Sequence, residues 1–305
     1  MTSAYRDVEN RLWEFCGVAR TGEHMVTIPV TGTKVRVQEV GDGPPVLYLH
    51  GSPNSGSTWV PILPFMAGFR SLLVDRPGTG LSEPAPISSL EEVNRLADRM
   101  VVEVMDGLGI EKAHLVASSL GGYIALRSAA AAPDRFDRMV QMALPGGAPG
   151  WRTPVFMKAM SLGAVRRILG ILPPSQRAND SIMRQIGHGK TLDAGGFPEP
   201  FNEWYLALAR HTDTMKNETE MISFGVTLKG WDPELTLVGT LERVPHPTLF
   251  LWGADDGFGG EDVARATVGL MPNAELRMFP DQGHLPWLDD PEVHGEATAA
   301  WLRLA

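Results

Sequence analysis

The chain has 305 residues, 43% of them hydrophobic, with a formal net charge of −9, a composition that excludes a largely disordered protein. The excess of acidic residues and the lack of basic runs argue against sequence-independent binding to nucleic acid, because such binding needs clustered Lys and Arg. A single cysteine, Cys16, excludes an intrachain disulfide and favours a reducing compartment.

The N-terminal residues predict neither export nor membrane insertion. Residues 1–11 lack a basic stretch followed by an apolar one, and no run of about 18 apolar residues occurs in the chain. We therefore expect a cytoplasmic protein without a membrane span. Residues 4–16 have apolar side chains at helical spacing. We interpret them as a short helix packed on the body of the protein, because their polar face has mixed charge and is not rich in Lys and Arg.

Eight segments have the pattern of β-strands. The first two, residues 24–30 and 34–40, flank a Thr-Gly-Thr turn and predict a β-hairpin. The other six are nearly continuous apolar runs, which are typical of strands buried on both faces of a parallel sheet. These six runs occupy residues 44–50, 70–78, 114–118, 138–144, 247–253 and 274–280.

Helical patterns fall between these strands, at residues 88–109, 120–132, 261–271 and 291–304. In the first of these helices, Ser88 and Glu91 have the spacing of a capping box, which predicts the N-terminus. The alternation of strands and helices indicates right-handed crossovers and a mainly parallel, doubly wound sheet.

The alternation stops between residues 146 and 244. That stretch has helical patterns at 153–171 and 201–224 but no convincing buried strand. Long insertions into a compact domain are usually functional lids. We therefore predict a helical cap over residues 146–244, inserted into a core domain made of residues 1–145 and 245–305.

The segment LVASSLGG, residues 115–122, joins an apolar strand to small residues and a helix. A nucleophile elbow has the form G-x-S-x-G in a sharp strand-to-helix turn, and Ala117 replaces the first glycine here. Small residues are needed because the backbones of the strand and the helix approach closely. Ser119 is therefore the candidate nucleophile, since taking Ser118 instead would place larger residues at the small positions. A simple N-cap serine is the alternative interpretation.

A serine nucleophile needs a base within hydrogen-bond reach and a group that orients the base. Asp255 and Asp256 follow the apolar run at residues 247–253, and His284 follows the last predicted strand. The carboxyl ends of parallel strands are where ligand sites form in α/β proteins. The order Ser, Asp, His is also that of the α/β-hydrolases.

With these motifs the sequence resembles the α/β-hydrolase family, in the cap-bearing branch that contains esterases, epoxide hydrolases and haloalkane dehalogenases. The resemblance is carried by five segments in the order typical of the family. They are LYLHGSPNSGSTW (47–59), VDRPGTGLSEP (74–84), LVASSLGG (115–122), PTLFLWGADD (247–256) and FPDQGHLPWLDDPE (279–292). The resemblance implies an enzyme with the α/β-hydrolase fold.

The resemblance also implies roles for single residues. The acid of the family stands three residues after the glycine of a W-G-x-x-D pattern, which is Asp256 here, with Asp255 as the alternative. The base is the histidine of a Gly-His turn, His284. Epoxide hydrolases and haloalkane dehalogenases of this branch use an aspartate as nucleophile, so Ser119 argues against both reactions.

The loop after the first buried strand resembles the one that supplies an oxyanion-hole donor. The backbone N–H groups of Ser52 and Leu120 would form this hole. His50 is expected to brace the loop rather than act as a second base, and Asp75 and Arg76 are expected to fix the loop at residues 75–82. The remaining histidines belong to no motif and are expected to be structural or solvent-facing. They are His24, His114, His188, His211, His246 and His294.

Large apolar side chains are frequent in the predicted cap. They are Trp151, Phe156, Met157, Met160, Met183, Phe197, Phe201, Trp204, Tyr205, Met215, Met221, Phe224 and Trp231. Most are expected to pack the cap itself, and the rest would line an apolar pocket. The leading hypothesis is that the protein cleaves a small, hydrophobic ester through an acyl-enzyme.

Two groups of alternatives stay open. The same triad would also serve for an amide, a lactone, a thioester or a C–C bond next to a ketone, and a non-catalytic ligand-binding protein is possible on this fold. The sequence contains no dinucleotide fingerprint, no P-loop and no Cys/His metal cluster. We therefore predict no cofactor and no metal, and a small-molecule substrate as partner.

Overall fold

The computed structural model describes residues 2–163, 165 and 174–304, and for Met160 the backbone alone. The ten strands within these residues are β1 (Gly22–Ile28), β2 (Thr33–Val40), β3 (Pro45–Leu49), β4 (Arg70–Val74), β5 (Ala113–Ser118), β6 (Phe136–Pro145), β7 (Val226–Thr227), β8 (Gly230–Trp231), β9 (Thr248–Gly253) and β10 (Ala274–Phe279). Eight of them form one sheet in the order β1-β2-β4-β3-β5-β6-β9-β10. The pairs β1–β2 and β2–β4 are antiparallel and the others are parallel. This confirms the predicted hairpin, six further strands and the mainly parallel sheet. Five of these six strands are largely buried, whereas β10 lies at the edge of the sheet and all its residues are partly or fully exposed, so the prediction that it is buried on both faces is wrong.

Helices lie between and beside these strands. They are α1 (Thr2–Phe15), α2 (Leu90–Gly107), α3 (Ser119–Ala131), α4 (Val155–Met160), α5 (Gln176–Gln185), α6 (Gly189–Asp193), α7 (Glu199–His211), α8 (Thr214–Gly225), α9 (Val238–Leu241), α10 (Glu261–Val268), α11 (Pro286–Asp289) and α12 (Pro291–Leu302). No helix within residues 2–163, 165 and 174–304 combines the length and apolar character that crossing a membrane requires.

The predicted start of α2 is wrong by one residue. The hydroxyl of Ser89, not of Ser88, accepts a hydrogen bond from a helix amide, the N–H of Glu92 at 3.3 Å. The carboxylate of Glu92 in turn accepts the N–H of Ser88 at 2.7 Å. The sequence contains the Ser-x-x-Glu spacing in two adjacent registers, 88–91 and 89–92, and the fold uses the second.

The core lies on both faces of the central strands. Leu47, Leu72, Leu115, Val140 and Leu249, one from each of β3, β4, β5, β6 and β9, are all buried. Their continuous apolar runs therefore correspond to strands covered by helices on both sides, as the sequence predicts.

The region between β6 and β9 is mostly helical in the part that the structure describes. The pattern at 201–224 becomes two helices, α7 and α8, because the Thr212 hydroxyl donates to the carbonyl of Leu208 and accepts the N–H of Thr214. The short hairpin β7–β8 and helix α5 were not predicted, and the pattern at 153–171 lies partly outside the described residues. The division into a core and a cap at residues 146–244 stays a prediction.

Helix α1 packs on the body of the protein, as the sequence predicts. Its side chains Leu12 and Trp13 are buried, and the Tyr5 hydroxyl donates to Glu9 at 3.0 Å. The indole N–H of Trp204, in α7, donates to the same hydroxyl at 3.1 Å. Helix α1 therefore also contacts the region between β6 and β9.

Candidate active site

Ser119 lies at the turn where β5 ends and α3 begins. Its φ angle is +53°, in the left-handed region that residues other than glycine seldom adopt. The carbonyl of Ser119 accepts the N–H of Gly146 at 2.8 Å, which ties this turn to the end of β6. Strain of this kind is held only where the surrounding structure enforces it, and it is frequent at functional sites.

The small residues around Ser119 are required by close backbone approach. A Cβ atom at Gly121 would overlap the carbonyl oxygen of Leu49, and one at Gly51 would lie 2.7 Å from Cβ of Ser119. Ser118 is fully buried and its hydroxyl has no hydrogen-bond partner in the described part of the chain, whereas Ser119 is 8% exposed. Of the two serines, Ser119 is the one whose side chain a substrate would reach.

Asp256 and His284 are brought together by the loops that follow β9 and β10. The imidazole Nδ1–H of His284 donates to Oδ2 of Asp256 at 2.8 Å. The carboxylate also accepts the N–H groups of Phe258 at 2.9 Å and Leu144 at 3.3 Å. The alternative acid, Asp255, is exposed, and no hydrogen bond joins it to His284. The pairing is therefore with Asp256.

The three predicted triad residues meet at the carboxyl end of the sheet. The N–H of Leu144 donates to Asp256. The next two residues, Pro145 at the end of β6 and Gly146 after it, pair with the backbone of Ser119. Asp256 and Ser119 are thus bound to a single stretch of three residues. Because His284 is bound to Asp256, the segments that carry the three predicted triad residues lie beside one another at this end of the sheet.

The second ring nitrogen of His284 is free. Nε2 is buried and has no hydrogen-bond partner among the described residues, so no hydrogen bond yet joins it to the Ser119 hydroxyl. Catalytic hydrogen bonds often tighten only when substrate binds. A neutral ring whose proton lies on Nδ1, directed at Asp256, would present an unprotonated Nε2, which is the form a general base needs. The Phe258 ring lies against the imidazole with the ring centroids 4.4 Å apart.

Two backbone N–H groups near Ser119 are unused. Leu120 is the second residue of α3, so its N–H belongs to the first helical turn and has no intrahelical acceptor. The N–H of Ser52, beside Gly51, makes no hydrogen bond to any residue that the structure describes. Both groups are available to an oxygen atom of a ligand.

His50 braces the loop that contains Gly51 and Ser52. Its Nδ1–H donates to the carbonyl of Gly51 at 2.7 Å, and its Nε2 accepts the N–H of Arg76 at 3.2 Å. Burial and the charge of Arg76 hold the pKa of His50 well below its usual range, so the ring stays neutral. This agrees with the predicted bracing role.

Asp75 and Arg76 have separate structural roles. Asp75 accepts the N–H groups of Gly56 at 2.7 Å and Leu81 at 3.0 Å, which fixes the loop after β4 as predicted. Arg76 instead donates to the carbonyls of His50 and Gly51 and forms a buried ion pair with Glu218 of α8 at 2.8 Å. Sequence reasoning missed this link between the loop at His50 and α8.

His188 is buried against the turn that contains His284, where the N–H of Leu285 donates to its Nε2 at 3.1 Å. From the sequence alone, His188 is expected only to be structural or solvent-facing. No local motif marks it, because its partner lies 97 positions away in the sequence.

The large apolar residues of the predicted cap fall into two groups. The buried ones are Met157, Met183, Phe197, Phe201, Trp204 and Tyr205. The partly exposed ones are Trp151, Phe156, Met215, Met221, Phe224 and Trp231. Among the latter, Trp151 stacks on Trp231 at 4.6 Å and lies 5.3 Å from Phe258, measured between ring centroids. An aromatic cluster therefore extends from this region to the His284 ring. The side chain of Met160 lies outside the described residues.

Within the described residues no group of three or more His, Cys, Asp or Glu side chains is arranged to hold a metal ion. A family model described as alpha/beta hydrolase fold matches residues 44–291. A curated relative, the 2-hydroxy-6-oxononadienedioate/2-hydroxy-6-oxononatrienedioate hydrolase of Cupriavidus pinatubonensis, is 28% identical over 268 residues, 85% of this chain and 88% of the relative.

Two solved structures have similar folds. The 2-hydroxy-6-oxo-6-phenylhexa-2,4-dienoate hydrolase from Rhodococcus sp. strain RHA1 has a TM-score of 0.75 and 23% identity, covering 94% of this chain and 100% of that one. Carboxylesterase CesB from Bacillus subtilis has a TM-score of 0.74 and 19% identity, covering 99% and 98%. At these identities the two structures show the shared fold.

Proposed function

This chain belongs to the α/β-hydrolase fold family and is a hydrolase of that class, and from that premise we propose that it cleaves a small, hydrophobic carboxylic ester through an acyl-enzyme on Ser119. The observation that carries the proposal is the bond from Nδ1 of His284 to Asp256, 2.8 Å long, which leaves Nε2 unpaired at the end of the sheet where Ser119 lies. A hydroxyl beside such an imidazole is an activated nucleophile.

In the first half of the reaction, Oγ of Ser119 attacks the ester carbonyl as Nε2 of His284 takes the hydroxyl proton. The carbonyl oxygen gains negative charge and accepts hydrogen bonds from the N–H groups of Ser52 and Leu120, each of which contributes about 2.7–4 kcal/mol to the transition state. The imidazolium, stabilised by Asp256, then gives its proton to the departing alcohol as the C–O bond breaks.

In the second half, water attacks the acyl group on Ser119. His284 takes a proton from the water, the same two N–H groups hold the oxyanion, and the proton passes to Oγ of Ser119 as the acid leaves. Neither half needs an oxidant or a reductant, since each bond that breaks is replaced by one to oxygen.

The preference for a hydrophobic ester rests on the aromatic residues beside the proposed base. Phe258 packs on His284, and Trp151 and Trp231 continue the cluster away from it. Apolar walls with few polar groups are typical of pockets for small molecules. An apolar acyl or alcohol group placed against these rings would be removed from water as it binds.

A second candidate is hydrolysis of a C–C bond next to a ketone. It is favoured by one observation, the 28% identity over 268 residues to a 2-hydroxy-6-oxononadienedioate/2-hydroxy-6-oxononatrienedioate hydrolase. The same attack by Ser119 would apply, with the imidazolium of His284 giving its proton to the departing carbon. A carbon atom leaves less readily than an alkoxide, so such a substrate must delocalise the electron pair that the broken bond leaves behind.

The test compares wild type, Ser119→Ala and Ser118→Ala on one panel. The panel contains aryl and alkyl esters of rising chain length together with 2-hydroxy-6-oxo-6-phenylhexa-2,4-dienoate. We expect ester turnover by wild type and Ser118→Ala, and a loss on the order of 10⁶-fold in kcat for Ser119→Ala, as found when a serine nucleophile is removed. Ser118 is the matched control because it is adjacent and buried, and its hydroxyl makes no hydrogen bond to any described residue.

The other outcomes separate the alternatives. Turnover of the dienoate without turnover of any ester would refute the first proposal and support the second. No turnover, together with no labelling of Ser119 by a fluorophosphonate probe, would indicate a ligand-binding protein. Equal ester hydrolysis by wild type and Ser119→Ala would refute Ser119 as the nucleophile.

A further inference from the structure

The turn that carries His284 is held by three consecutive backbone N–H groups. The N–H of Gly283 donates to Oδ2 of Asp289 at 2.9 Å, and the N–H of His284 donates to the carbonyl of Ile186 at 2.9 Å. The N–H of Leu285 donates to Nε2 of His188 at 3.1 Å. Two of the three acceptors therefore come from the segment between α5 and α6, almost 100 positions earlier in the chain.

The side chains of His188 and Asp289, which supply two of these three acceptors, are hydrogen-bonded to each other. Nδ1 of His188 lies 2.9 Å from both carboxylate oxygens of Asp289, and both side chains are almost fully buried, 0% and 4% exposed. Because Nε2 accepts from Leu285, the ring proton is on Nδ1 and is donated to Asp289. The carboxylate thus fixes the tautomer of His188, and that tautomer is the one that can accept from Leu285.

The packing leaves this segment little freedom. A Cβ atom at Gly283 would lie 2.7 Å from the carbonyl carbon of Gly187 and 2.9 Å from Cε1 of His188. A Cβ at Gly187 would overlap the carbonyl oxygen of Asp255, and one at Gly257 would overlap that of Gln185. Residues 185–188 are therefore tightly packed between the turn that carries His284 and the loop that carries Asp256.

We propose that His188 and Asp289 are a positioning pair for the base His284, so that the imidazole is aligned only while residues 185–188 are seated on its turn. The proposal rests on the proposed function of Ser119 and His284. His188 touches neither substrate nor reacting atoms, and it acts through the N–H of Leu285. The region between β6 and β9 then contributes to the chemical step as well as to substrate enclosure.

The test uses two substitutions that separate the hydrogen bond from the packing. In His188→Gln the side-chain oxygen can still accept the N–H of Leu285, whereas His188→Leu has similar bulk and no acceptor. The readout is the second-order rate of Ser119 modification by a fluorophosphonate probe, which needs no knowledge of the natural substrate, together with kcat on an ester that wild type hydrolyses.

We expect His188→Leu to lower both rates by about ten-fold or more, a fraction of the roughly 10²–10⁴-fold that a positioned base contributes. His188→Gln should keep both rates within about three-fold of wild type, because an acceptor for Leu285 remains. His246→Leu is the matched control. His246 is also buried, and its ring donates to the carbonyl of Pro133 at 2.8 Å, but none of its hydrogen bonds within the described residues joins it to the loops that carry Asp256 and His284.

If His188→Leu does not fold, Asp289→Asn tests the same idea with the shape of the side chain kept. Its oxygen would be shared between the N–H of Gly283 and Nδ1 of His188, and its amide group would face Nδ1 in place of the second carboxylate oxygen. This weakens the preference for the tautomer that accepts from Leu285. We expect a loss of both rates that is smaller than that of His188→Leu.

Equal rates for His188→Leu and His246→Leu, measured well below both melting temperatures, would overturn the proposal. Equal losses for the Gln and Leu variants would also overturn it, because packing alone would then explain both. Failure of the proposed function looks different, since wild type itself would not be labelled at Ser119.

Discussion

The ion pair between Arg76 and Glu218 offers a sharp test of how the two sides of the candidate site are joined. The guanidinium donates to Oε2 of Glu218 at 2.8 Å and to the carbonyls of His50 at 2.8 Å and Gly51 at 3.1 Å. The side chains are 3% and 2% exposed. In Glu218→Ala the charge of Arg76 would stay buried with only neutral partners.

The size of the effect follows from this burial. Removing one partner of a buried pair leaves an uncompensated charge and costs about 3–5 kcal/mol. An exposed ion pair would cost only about 0–1 kcal/mol. We therefore expect Glu218→Ala to lower the free energy of unfolding by about 3–5 kcal/mol.

The measurement is urea denaturation followed by tryptophan fluorescence, with linear extrapolation to water. Glu220→Ala is the matched control, because Glu220 is an exposed glutamate on the same helix and should change stability by no more than about 0.5 kcal/mol. The double variant Arg76→Met with Glu218→Leu should recover only part of the loss. It removes the buried charge, but it also takes from the carbonyls of His50 and Gly51 the donor that Arg76 supplies. A value for Glu218→Ala within about 1 kcal/mol of the control would refute the reasoning.

Two further predictions concern Asp256 and His294. In Asp256→Asn a neutral amide replaces the carboxylate that accepts the Nδ1–H of His284 and would stabilise its imidazolium. On a hydrolysed ester kcat should fall about 10³–10⁴-fold, and a fall under about ten-fold would contradict this. Burial lowers the pKa of His294 to about 4, below the value of about 6.5 in the unfolded chain. As the pH falls, the unfolded state therefore binds this proton first, and the contribution of His294 to the free energy of unfolding should fall by on the order of 3 kcal/mol between pH 6.5 and pH 4. Urea denaturation across this window should show a shallower fall for His294→Gln, and an unchanged slope would count against the assignment.

The sheet and the chain order of the candidate triad could be predicted from local patterns in the sequence. Strands such as β3 and β9 are recognisable because burial on both faces demands a continuous apolar run, which is a local property. The turn at Ser119 is recognisable for a similar reason, since the small residues that flank it are imposed by backbone approach within a few positions. The catalytic roles of Ser119, Asp256 and His284 stay predictions until the variants are measured.

Which polar groups meet across the chain could not be predicted and depends on the folded arrangement. Residues alone allowed both Asp255 and Asp256 as the acid, and the structure pairs Asp256 with His284 because the N–H groups of Phe258 and Leu144 also converge on its carboxylate. The contact from His188 to Leu285 spans 97 positions, and that from Arg76 to Glu218 spans 142. Such pairs produce no periodic pattern in the sequence, because they depend on where the folded chain brings two distant segments together.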